Sequence, residues 1–524
     1  MPARLLTRAG ADVLIVGAGA AGCLFAAELA ARDCRVVALE AGPAWSLADL
    51  WSSQLWARRL KWRGPPVYVR GENPIAHNLI MGSGLGGAAL HHYGTWPRFA
   101  PEVFEIASRH GRGTDWPFDY ETLRPYYDRV QGFVGLAGDA SAEPWRGAGE
   151  PYPLPPLRTF RHGELLRAGF EKLGLPIAPL PAAINSVPHA SRAACLYDGW
   201  CDAGCPIGAL ANPLTTYYPL ARRRGAEFRT GCQVTRILSD AAGHAVGVEF
   251  VQADRPQRLH AGHIVLAASV VENARILLNS RTARHPRGLG NGSGLIGRSI
   301  MAEVMAFCYG LFEAPVDNHL GVSAGQYLHR GRIIDPALPA VIGGYQWQVA
   351  PAVKPNDIFG SAITRPDLYG VALERFIKQA TGGLAYMVGF GGGLPDPGNA
   401  ITLTPRRDRF GMSIAQVEHR FTPEQMQLHQ FMNEQGARVM SAAGATEHWS
   451  GPAAAGHLIG GTIMGTDPAR SVTDGYGALH EVPNVHVAGA GLFPVSGGAS
   501  LTFTLMAHAL RSAEHLRRSP RGVS

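Results

Sequence analysis

The chain has 524 residues, of which 46% are hydrophobic and 8% aromatic, so it can fill a sizeable core and is not a disordered chain. This length suits two or three domains, or one large α/β body with an embedded second domain. The formal net charge is +7, but the basic residues are mostly arginines scattered along the chain, which does not indicate a nucleic-acid partner. Seven cysteines in a chain of this size do not indicate a disulfide scaffold.

The sequence shows no sign of membrane insertion or export. There is no apolar run of 18 or more residues, so we expect no transmembrane segment. The opening MPARLLTRAG contains basic residues, but the apolar run that follows, DVLIVGAGAAG, fits a folded strand and turn better than a secretory signal.

The clearest motif lies near the amino terminus and reads ADVLIVGAGAAGCLFAAELAARDCRVVALEAGP. An apolar strand at 13–16 leads into GAGAAG, an Ala/Leu-rich helix and a second strand at 35–39. In this pattern Gly17 allows a tight turn, Gly19 lets the backbone approach a pyrophosphate, and Gly22 lets the helix pack closely on the strand. The amino terminus of the helix offers free N–H groups to the phosphates. The motif predicts a dinucleotide site.

The second strand of this motif ends in Glu40, which is 18 residues beyond Gly22. A carboxylate at that place can accept hydrogen bonds from ribose hydroxyls and argues against a 2′-phosphate. From this segment alone the dinucleotide is either FAD or NAD.

A second glycine-rich segment, NLIMGSGLGGAALHHYGTWPR, occupies residues 78–98. Its glycines include Gly86 and Gly87, and a histidine pair that begins with His91 follows them. A flexible surface loop is the alternative, but such loops seldom combine this many glycines with histidines, a tyrosine and a tryptophan. We therefore expect the segment to contact the cofactor.

Three cysteines fall within eleven residues, in CLYDGWCDAGCP, with the spacing C-x5-C-x3-C. They are Cys195, Cys201 and Cys205. Thiolates bind iron, and a proline after the last ligand is familiar in iron–sulfur sites. Zinc is an alternative, although the usual pairs of C-x2-C and the histidine partners are missing. Three unpaired thiols in a loop are the other alternative, and Cys232 is a conceivable fourth ligand.

Three further segments complete the pattern. HIVLAASVVENARILLNS (263–280) predicts a strand, a turn and a helix, and NAITLTPRRDRFGMSIAQVEH (399–419) predicts strands. Near the carboxy terminus, GHLIGGTIMGTDPARSV (456–472) precedes NVHVAGAGLFPVSGGASLTFTLMAHALRSAEHL (484–516). The last piece predicts a strand, a glycine turn and a long helix whose amino-terminal end points at the cofactor.

Taken together, the segments at 78–98, 263–280 and 456–516 resemble the signatures of the glucose–methanol–choline (GMC) oxidoreductases. The resemblance implies an α/β fold, with a Rossmann-like FAD-binding domain of the GMC type and a substrate domain built on a mostly antiparallel sheet. It implies a discontinuous FAD-binding domain at 1–300 and 451–524, with the cysteine loop near 190–210, and a substrate-binding domain at 301–450. It also implies that FAD is held by Gly17, Gly19, Gly22, Glu40, Gly86, Gly87, His91, Gly489 and Ala490.

The resemblance also implies a catalytic pair. Oxidising an alcohol requires its hydroxyl proton to leave, and a histidine of near-neutral pKa can accept that proton. The family places this base at His457, for which a packing histidine in a turn is the alternative. Its usual partner is Asn, but this sequence has Ser500, which also donates and accepts hydrogen bonds and is shorter. His508 is expected to be a packed or capping histidine.

At the position of His91, some GMC members such as the pyranose 2-oxidases bond covalently to the flavin. Related dehydrogenases keep a histidine there without the bond. For this chain we expect FAD to be bound without a covalent link.

The subgroup that this chain resembles contains the bacterial FAD-dependent glucose, gluconate and fructose dehydrogenases, which carry an iron–sulfur cluster on C-x5-C-x3-C. This implies that Cys195, Cys201 and Cys205 bind a cluster, with 3Fe-4S favoured. A dehydrogenase that passes electrons singly to a cytochrome benefits from such a relay, whereas an oxidase can hand electrons straight to oxygen. We therefore expect a FAD-dependent dehydrogenase that oxidises a CH–OH group of a sugar or polyol. In this hypothesis the hydride goes to flavin N5 and electrons leave through the cluster to an external acceptor.

Three other functions stay open. The first is a pyranose-oxidase-like oxidase that uses oxygen, and the second is an electron-transfer flavoprotein module without substrate chemistry. An NAD-binding reductase is a further alternative, although the two later flavin-type segments would have no role in it.

The resemblance also extends to partners. In the related dehydrogenases a small signal-bearing subunit takes the catalytic chain out of the cytoplasm, and the complex docks on a membrane cytochrome. This implies a small subunit and a cytochrome c acceptor as partners, and a location at the periplasmic face of the inner membrane. A cytoplasmic enzyme is the alternative. No motif in the sequence identifies the sugar or alcohol.

Overall fold

The computed structural model describes residues 10–30, 34–61, 63–73, 75 and 81–518. Its α-helices are α1 (Ala20–Leu29), α2 (Gln54–Lys61), α3 (Ile106–His110), α4 (Tyr120–Val134), α5 (Arg161–Lys172), α6 (Tyr217–Arg223), α7 (Val270–Asn279), α8 (Pro355–Ile363), α9 (Gly370–Gly383), α10 (Pro423–Ala443) and α11 (Thr502–Arg518). Its strands are β1 (Ala11–Val16), β2 (Val36–Leu39), β3 (Val67–Arg70), β4 (Ala178–Pro179), β5 (Glu227–Arg229), β6 (Cys232–Ser239), β7 (Ala245–Gln252), β8 (Arg255–Leu266), β9 (Met301–Leu311), β10 (Tyr327–Arg330), β11 (Tyr345–Val349), β12 (Leu384–Gly391), β13 (Ala400–Arg407), β14 (Ser413–Glu418), β15 (Glu447–Ser450), β16 (Ala454–Ile459) and β17 (Val485–Val487).

The first sheet carries the amino-terminal motif at its centre. Its strands follow the order β5-β2-β1-β8-β7-β6, and β17 also pairs with β8. The pairs of β1 with β2 and with β8 are parallel, as is the pair of β8 with β17. Apart from Asp12, strands β1 and β2 are apolar, and both are almost entirely buried, as is usual for parallel strands covered on both faces. The carboxyl ends of these strands meet at one edge, where ligands bind in open α/β sheets.

The second sheet is antiparallel and follows the order β15-β9-β12-β11-β10-β4, with β16 also on β9. On one face the Trp347 indole of β11 donates a hydrogen bond to Gln435 of α10 at 2.8 Å. On the other face Ile358 of α8 and Phe376 of α9 join a core cluster with Tyr309 of β9 and Tyr386 of β12. Helices α8 and α9 therefore cover part of the face to which Phe390 of β12 also belongs. A third, small sheet orders β13-β14-β3.

These sheets confirm the predicted α/β fold with a Rossmann-like part and a mostly antiparallel second sheet. The strands predicted at 13–16 and 35–39 correspond to β1 and β2, and the helix predicted within 484–516 corresponds to α11. The strands predicted within 399–419 are β13 and β14, which form the small sheet with β3. Residues 78–80 of the second glycine-rich segment lie outside the described residues. Within the described residues, none of the helices combines the length and the apolar character that crossing a membrane requires.

Candidate active site

The turn between β1 and α1 has the backbone shape that its glycines predict. Gly17 has φ +97°, a conformation that side chains disfavour. A Cβ atom added at Gly22 would lie 2.0 Å from the Gly17 carbonyl oxygen, so only glycine lets α1 approach the turn this closely. The helix is capped by Gly19 without a side-chain hydrogen bond, which leaves its first-turn amides for a ligand.

Glu40 stands at the end of β2, but its carboxylate is bonded to the protein backbone. Oε2 accepts from the amide of Ala18 at 2.9 Å, and Oε1 accepts from the amides of Gly42 and Gly84 at 2.8 and 2.9 Å. Burial raises the pKa of Glu40, against the opposing effect of these hydrogen bonds. The carboxylate therefore joins the two glycine-rich loops, a role that the sequence did not reveal. Its contact with a ribose stays a prediction.

The second glycine-rich loop lies directly against the first. The Gly86 amide donates to the Ala18 carbonyl at 2.9 Å, and a Cβ atom added at Gly87 would lie 3.1 Å from Cα of Gly19. His91 follows on a short 3₁₀ turn and is buried. Its Nε2 atom has no hydrogen-bond partner among the described residues, and burial together with the charge of Lys61 lowers the pKa of His91 to about 3.

These features fit FAD. Uncapped amides at the start of α1, two glycine loops in close approach and an unpartnered buried nitrogen are groups that a flavin dinucleotide can contact. A small pocket lies beside them between the first turns of α1 and α11, and residues such as Ala20, His92 and Thr502 line it.

The segment after β17 connects the cofactor side to the predicted base. Gly489 has φ +113°, and Ala490 begins a short 3₁₀ turn. The Ala490 carbonyl accepts a hydrogen bond from the Gly460 amide at 3.1 Å. Gly460 directly follows β16, the strand that carries His457, so the two segments are held together.

His457 lies at a β-bulge that turns it toward a buried carboxylate. Ala455 pairs with Val304 and Leu458 with Ala302, so Gly456 and His457 together oppose the single residue Glu303. Nδ1 of His457 lies 2.6 Å from Oε2 of Glu303. The histidine side chain is 42% exposed, whereas Glu303 is fully buried.

The environment of His457 tunes its basicity and fixes its ring. Partial desolvation of the ring by its neighbours tends to lower the pKa of His457, but the hydrogen bond and charge of Glu303 outweigh this effect and raise that pKa above its ordinary value. The ring stacks on Phe390 of β12, with centroids 5.4 Å apart and planes 22° apart. The sequence reasoning missed Glu303. Its signal was a single carboxylate within the apolar run MAEVMAFCYGL, because a buried carboxylate needs a partner.

Ser500 is buried two residues before α11 and is held by two glutamines of β11. Its Oγ accepts from Nε2 of Gln346 at 2.8 Å and from Nε2 of Gln348 at 3.1 Å. The sequence reasoning missed both glutamines, although their alternation in YQWQV places them on one face of the strand. His508 is buried in α11, donates to the Gly475 carbonyl at 3.1 Å and stacks on Phe118.

The three clustered cysteines share one loop and one apolar cluster. Cys201 is buried, and Cys195 and Cys205 are half-buried. All three lie within the described part of the chain, and none of them forms a disulfide there. Burial raises the pKa of Cys195 to about 12 and also raises the pKa of Cys201. Among the residues that the structure describes, no three His, Cys, Asp or Glu side chains are arranged to hold a metal ion. The thiols have suitable chemistry for a cluster, but their arrangement does not fit one.

The cysteine loop is fixed by an ion cluster that sequence reasoning did not find. Asp202 is buried within the loop, and its Oδ2 accepts from Nζ of Lys61 of α2 at 2.5 Å. Nζ of Lys354, just before α8, lies 3.8 Å from Oδ1 of Asp202 and 3.3 Å from Asp357. Two of the chain's four lysines therefore converge on one aspartate and connect the loop to α2 and α8.

The chain matches known proteins over most of its length. The family model of the GMC oxidoreductases matches residues 11–302 and 395–509. Paromamine 6'-oxidase of Streptomyces fradiae is 29% identical over 96% of this chain and 90% of its own length. 2-methyl-1,2-propanediol dehydrogenase of Mycolicibacterium austroafricanum is 28% identical over 97% of this chain and 95% of its own. The large subunit of fructose dehydrogenase of Gluconobacter japonicus is 26% identical over 96% of this chain and 97% of its own.

A solved structure agrees with the fold. Pyridoxine 4-oxidase from Mesorbium loti superposes with a TM-score of 0.66 at 18% identity, and the match covers 96% of this chain and 99% of the other. The chain is therefore a member of the GMC oxidoreductase family, and it is a FAD-dependent oxidoreductase that acts on CH–OH groups.

Proposed function

We propose that this protein is a dehydrogenase that oxidises a CH–OH group of a sugar or polyol, with His457 as the general base. The observation that carries the proposal is the hydrogen bond of 2.6 Å between His457 Nδ1 and the buried Glu303 carboxylate. It supplies a histidine whose tautomer, orientation and basicity are fixed, at a place where its ring is open to solvent.

The geometry defines what His457 can do. Nδ1–H donates to the Glu303 carboxylate, so Nε2 carries the free lone pair. That nitrogen accepts the hydroxyl proton of the substrate, and the neighbouring Glu303 stabilises the imidazolium that forms. Stacking on Phe390 restricts rotation of the ring and keeps Nε2 directed to one place. FAD, when bound, would accept the hydride from the carbon that carries this hydroxyl.

The choice between dehydrogenase and oxidase rests on the electron acceptor. Two relatives that cover nearly the whole chain are named dehydrogenases, and this supports an external acceptor. An oxidase is the second candidate, because another relative of similar identity is named paromamine 6'-oxidase.

Peroxide production separates the two candidates. An alcohol that reduces the enzyme is supplied under air, with and without a dye acceptor. The dehydrogenase proposal expects rapid dye reduction and little peroxide. Peroxide formed in a 1:1 ratio to oxidised alcohol, at the rate of dye reduction, would establish the oxidase instead.

We also propose a partner subunit, a cytochrome c acceptor and a location at the periplasmic face of the inner membrane. Their support is the resemblance to the cluster-bearing dehydrogenases and the relative that is named as a large subunit. Co-purification of the untagged chain from its native cells, with its neighbours identified by mass spectrometry, tests the partners. The iron–sulfur cluster has the C-x5-C-x3-C spacing as its support, so no step of the mechanism is assigned to it.

A further inference from the structure

The hydroxyl of Ser500 has both of its acceptor positions occupied. A serine hydroxyl has one proton to donate and two lone pairs. Gln346 and Gln348 each donate an amide proton to Oγ, at 2.8 and 3.1 Å. Gln346 also accepts the backbone N–H of Ser500 through Oε1 at 3.3 Å, which fixes which end of its amide carries the nitrogen. The hydroxyl of Ser500 is thereby left to act as a donor only.

This donor lies on the same face of the second sheet as His457. Gln346 and Gln348 are two residues apart on β11, and Gln346 pairs directly with Phe390 of β12. Phe390 is the residue on which the His457 ring stacks. The loop before α11 also contacts the carboxylate that holds the base, because Ser496 Oγ lies 3.5 Å from Oε1 of Glu303.

We propose that Gln346 and Gln348 are positioning residues that fix Ser500 as a hydrogen-bond donor to the substrate oxygen. The inference rests on the proposed alcohol oxidation. In that reaction the hydroxyl proton passes to His457, and FAD, when bound, would accept the hydride of the carbon that carries the hydroxyl, so that the C–O single bond becomes a carbonyl. Negative charge develops on the oxygen as its proton leaves, and a prearranged donor stabilises it. Ser500 itself gains and loses no atom.

Two incoming hydrogen bonds also strengthen the outgoing one. Hydrogen bonds in a chain polarise one another, most effectively in a buried site. Ser500 is 4% exposed, and both glutamines are buried. The two glutamines therefore supply the fixed orientation that the short serine side chain lacks by itself.

A double-mutant cycle tests this arrangement. The rate constant of flavin reduction is measured anaerobically by stopped flow, with the sugar or polyol that bleaches the parent enzyme fastest in a panel of D-glucose, D-fructose, sorbitol and 1,2-propanediol. Ser500→Ala should slow reduction about 10–100-fold, somewhat less than loss of a full oxyanion donor can cost. Gln348→Met should slow it about 3–10-fold, the value of one hydrogen bond, and should add no further loss in the Ser500→Ala enzyme.

A second variant separates orientation from shape. Gln348→Glu keeps the size of the side chain, and at a pH where the new carboxyl group is ionised it only accepts, so the Ser500 proton would turn toward it. Reduction should then be slower than in Gln348→Met. The control is Gln435→Met, because Gln435 is a buried glutamine bonded to Trp347 and Tyr345 on the opposite face of β11. It should leave the rate constant unchanged, and equal FAD content and melting temperature establish that each variant folds.

The double-mutant cycle shows whether Gln348 acts through Ser500. Full loss from Gln348→Met in the Ser500→Ala background would mean that Gln348 acts without Ser500, and the proposal would be wrong. An unchanged rate constant in Gln348→Met would overturn it equally, as would an unchanged rate constant in Gln348→Glu at a pH where its carboxyl group is ionised. If no alcohol in the panel bleaches the parent enzyme, the proposed function fails first, and this result is distinguishable from the others.

Discussion

His457 and Glu303 are brought together by one extra residue in a strand. The bulge in β16 sets Gly456 and His457 opposite the single residue Glu303 of β9, and the histidine Nδ1 lies 2.6 Å from the carboxylate. Without the bulge, the strict alternation of a strand would change the face on which His457 lies. The base therefore depends on the register between two strands that are about 150 residues apart in the sequence.

The pair predicts a specific pH dependence. Glu303 raises the pKa of His457, so the neutral base is lost as the pH falls through that raised value. The rate constant of flavin reduction should therefore rise with pH through a pKa above the ordinary value of histidine. Glu303→Gln removes the charge and lowers the pKa, so the rise should begin at lower pH and reach a lower plateau.

Ser496→Ala is the matched control for this measurement, because Ser496 makes only a 3.5 Å contact with the same carboxylate. It should leave the pH profile close to that of the parent. A Glu303→Gln enzyme with the parent's profile would show that the carboxylate does not set the basicity of His457.

Acid precipitation distinguishes covalent from non-covalent binding of the flavin. We expect acid precipitation of the protein to release FAD into the supernatant, because the resemblance favours a non-covalent cofactor. His91 is the residue to substitute, since its Nε2 is buried without a partner among the described residues. Flavin that stays on the precipitated parent chain, but not on His91→Ala, would establish a covalent link at this residue.

Iron content shows whether the cysteine loop binds an iron–sulfur cluster or carries three unpaired thiols. If C-x5-C-x3-C binds a cluster, the purified parent contains iron in a fixed ratio to FAD, and Cys201→Ser loses it. Flavin bleaching by substrate should persist in that variant, because proton removal needs His457 and not a thiol. Cys308→Ser, in β9 beside Ser450, is the control and should leave the iron content unchanged.

If a parent protein that was purified anaerobically contains no iron, the loop does not bind a cluster. That result would agree with the present arrangement of the thiols. Electron transfer to the external acceptor would then have to proceed from the flavin directly.

The ion cluster at Asp202 makes a prediction about stability. Asp202→Ala leaves Lys61 and Lys354 close together without their shared partner, and breaking a buried pair in this way costs about 3–5 kcal/mol. Urea unfolding followed by tryptophan fluorescence should show this loss in the free energy of unfolding. Asp198→Ala removes only exposed hydrogen bonds of the same loop, from Ser52 and the Trp200 amide, and should cost less, about 1 kcal/mol. Equal losses from both variants would contradict a specific role for Asp202.

The sequence was sufficient for those parts of the fold that depend on local pattern. The run of strand, glycine turn and helix at the amino terminus has a period and a glycine spacing that identify β1 and α1. The contacts of Glu40 with Gly84 could not be predicted in the same way, because they depend on two loops meeting in space. The partner of His457 was hidden for the same reason, since Glu303 meets it only through strand register.

Anaerobic bleaching of the bound flavin by a sugar or polyol, compared between the parent enzyme and His457→Ala, tests the role of His457 directly. The parent should bleach, and His457→Ala should bleach about 10²–10⁴-fold more slowly while it retains FAD, because it lacks the general base. His448→Ala is the control. His448 is an exposed histidine of β15, which pairs with β9 as the His457 strand β16 does, and its removal should leave bleaching at the parent rate. A His457→Ala enzyme that keeps its FAD and bleaches at the parent rate would show that His457 does not take the substrate proton.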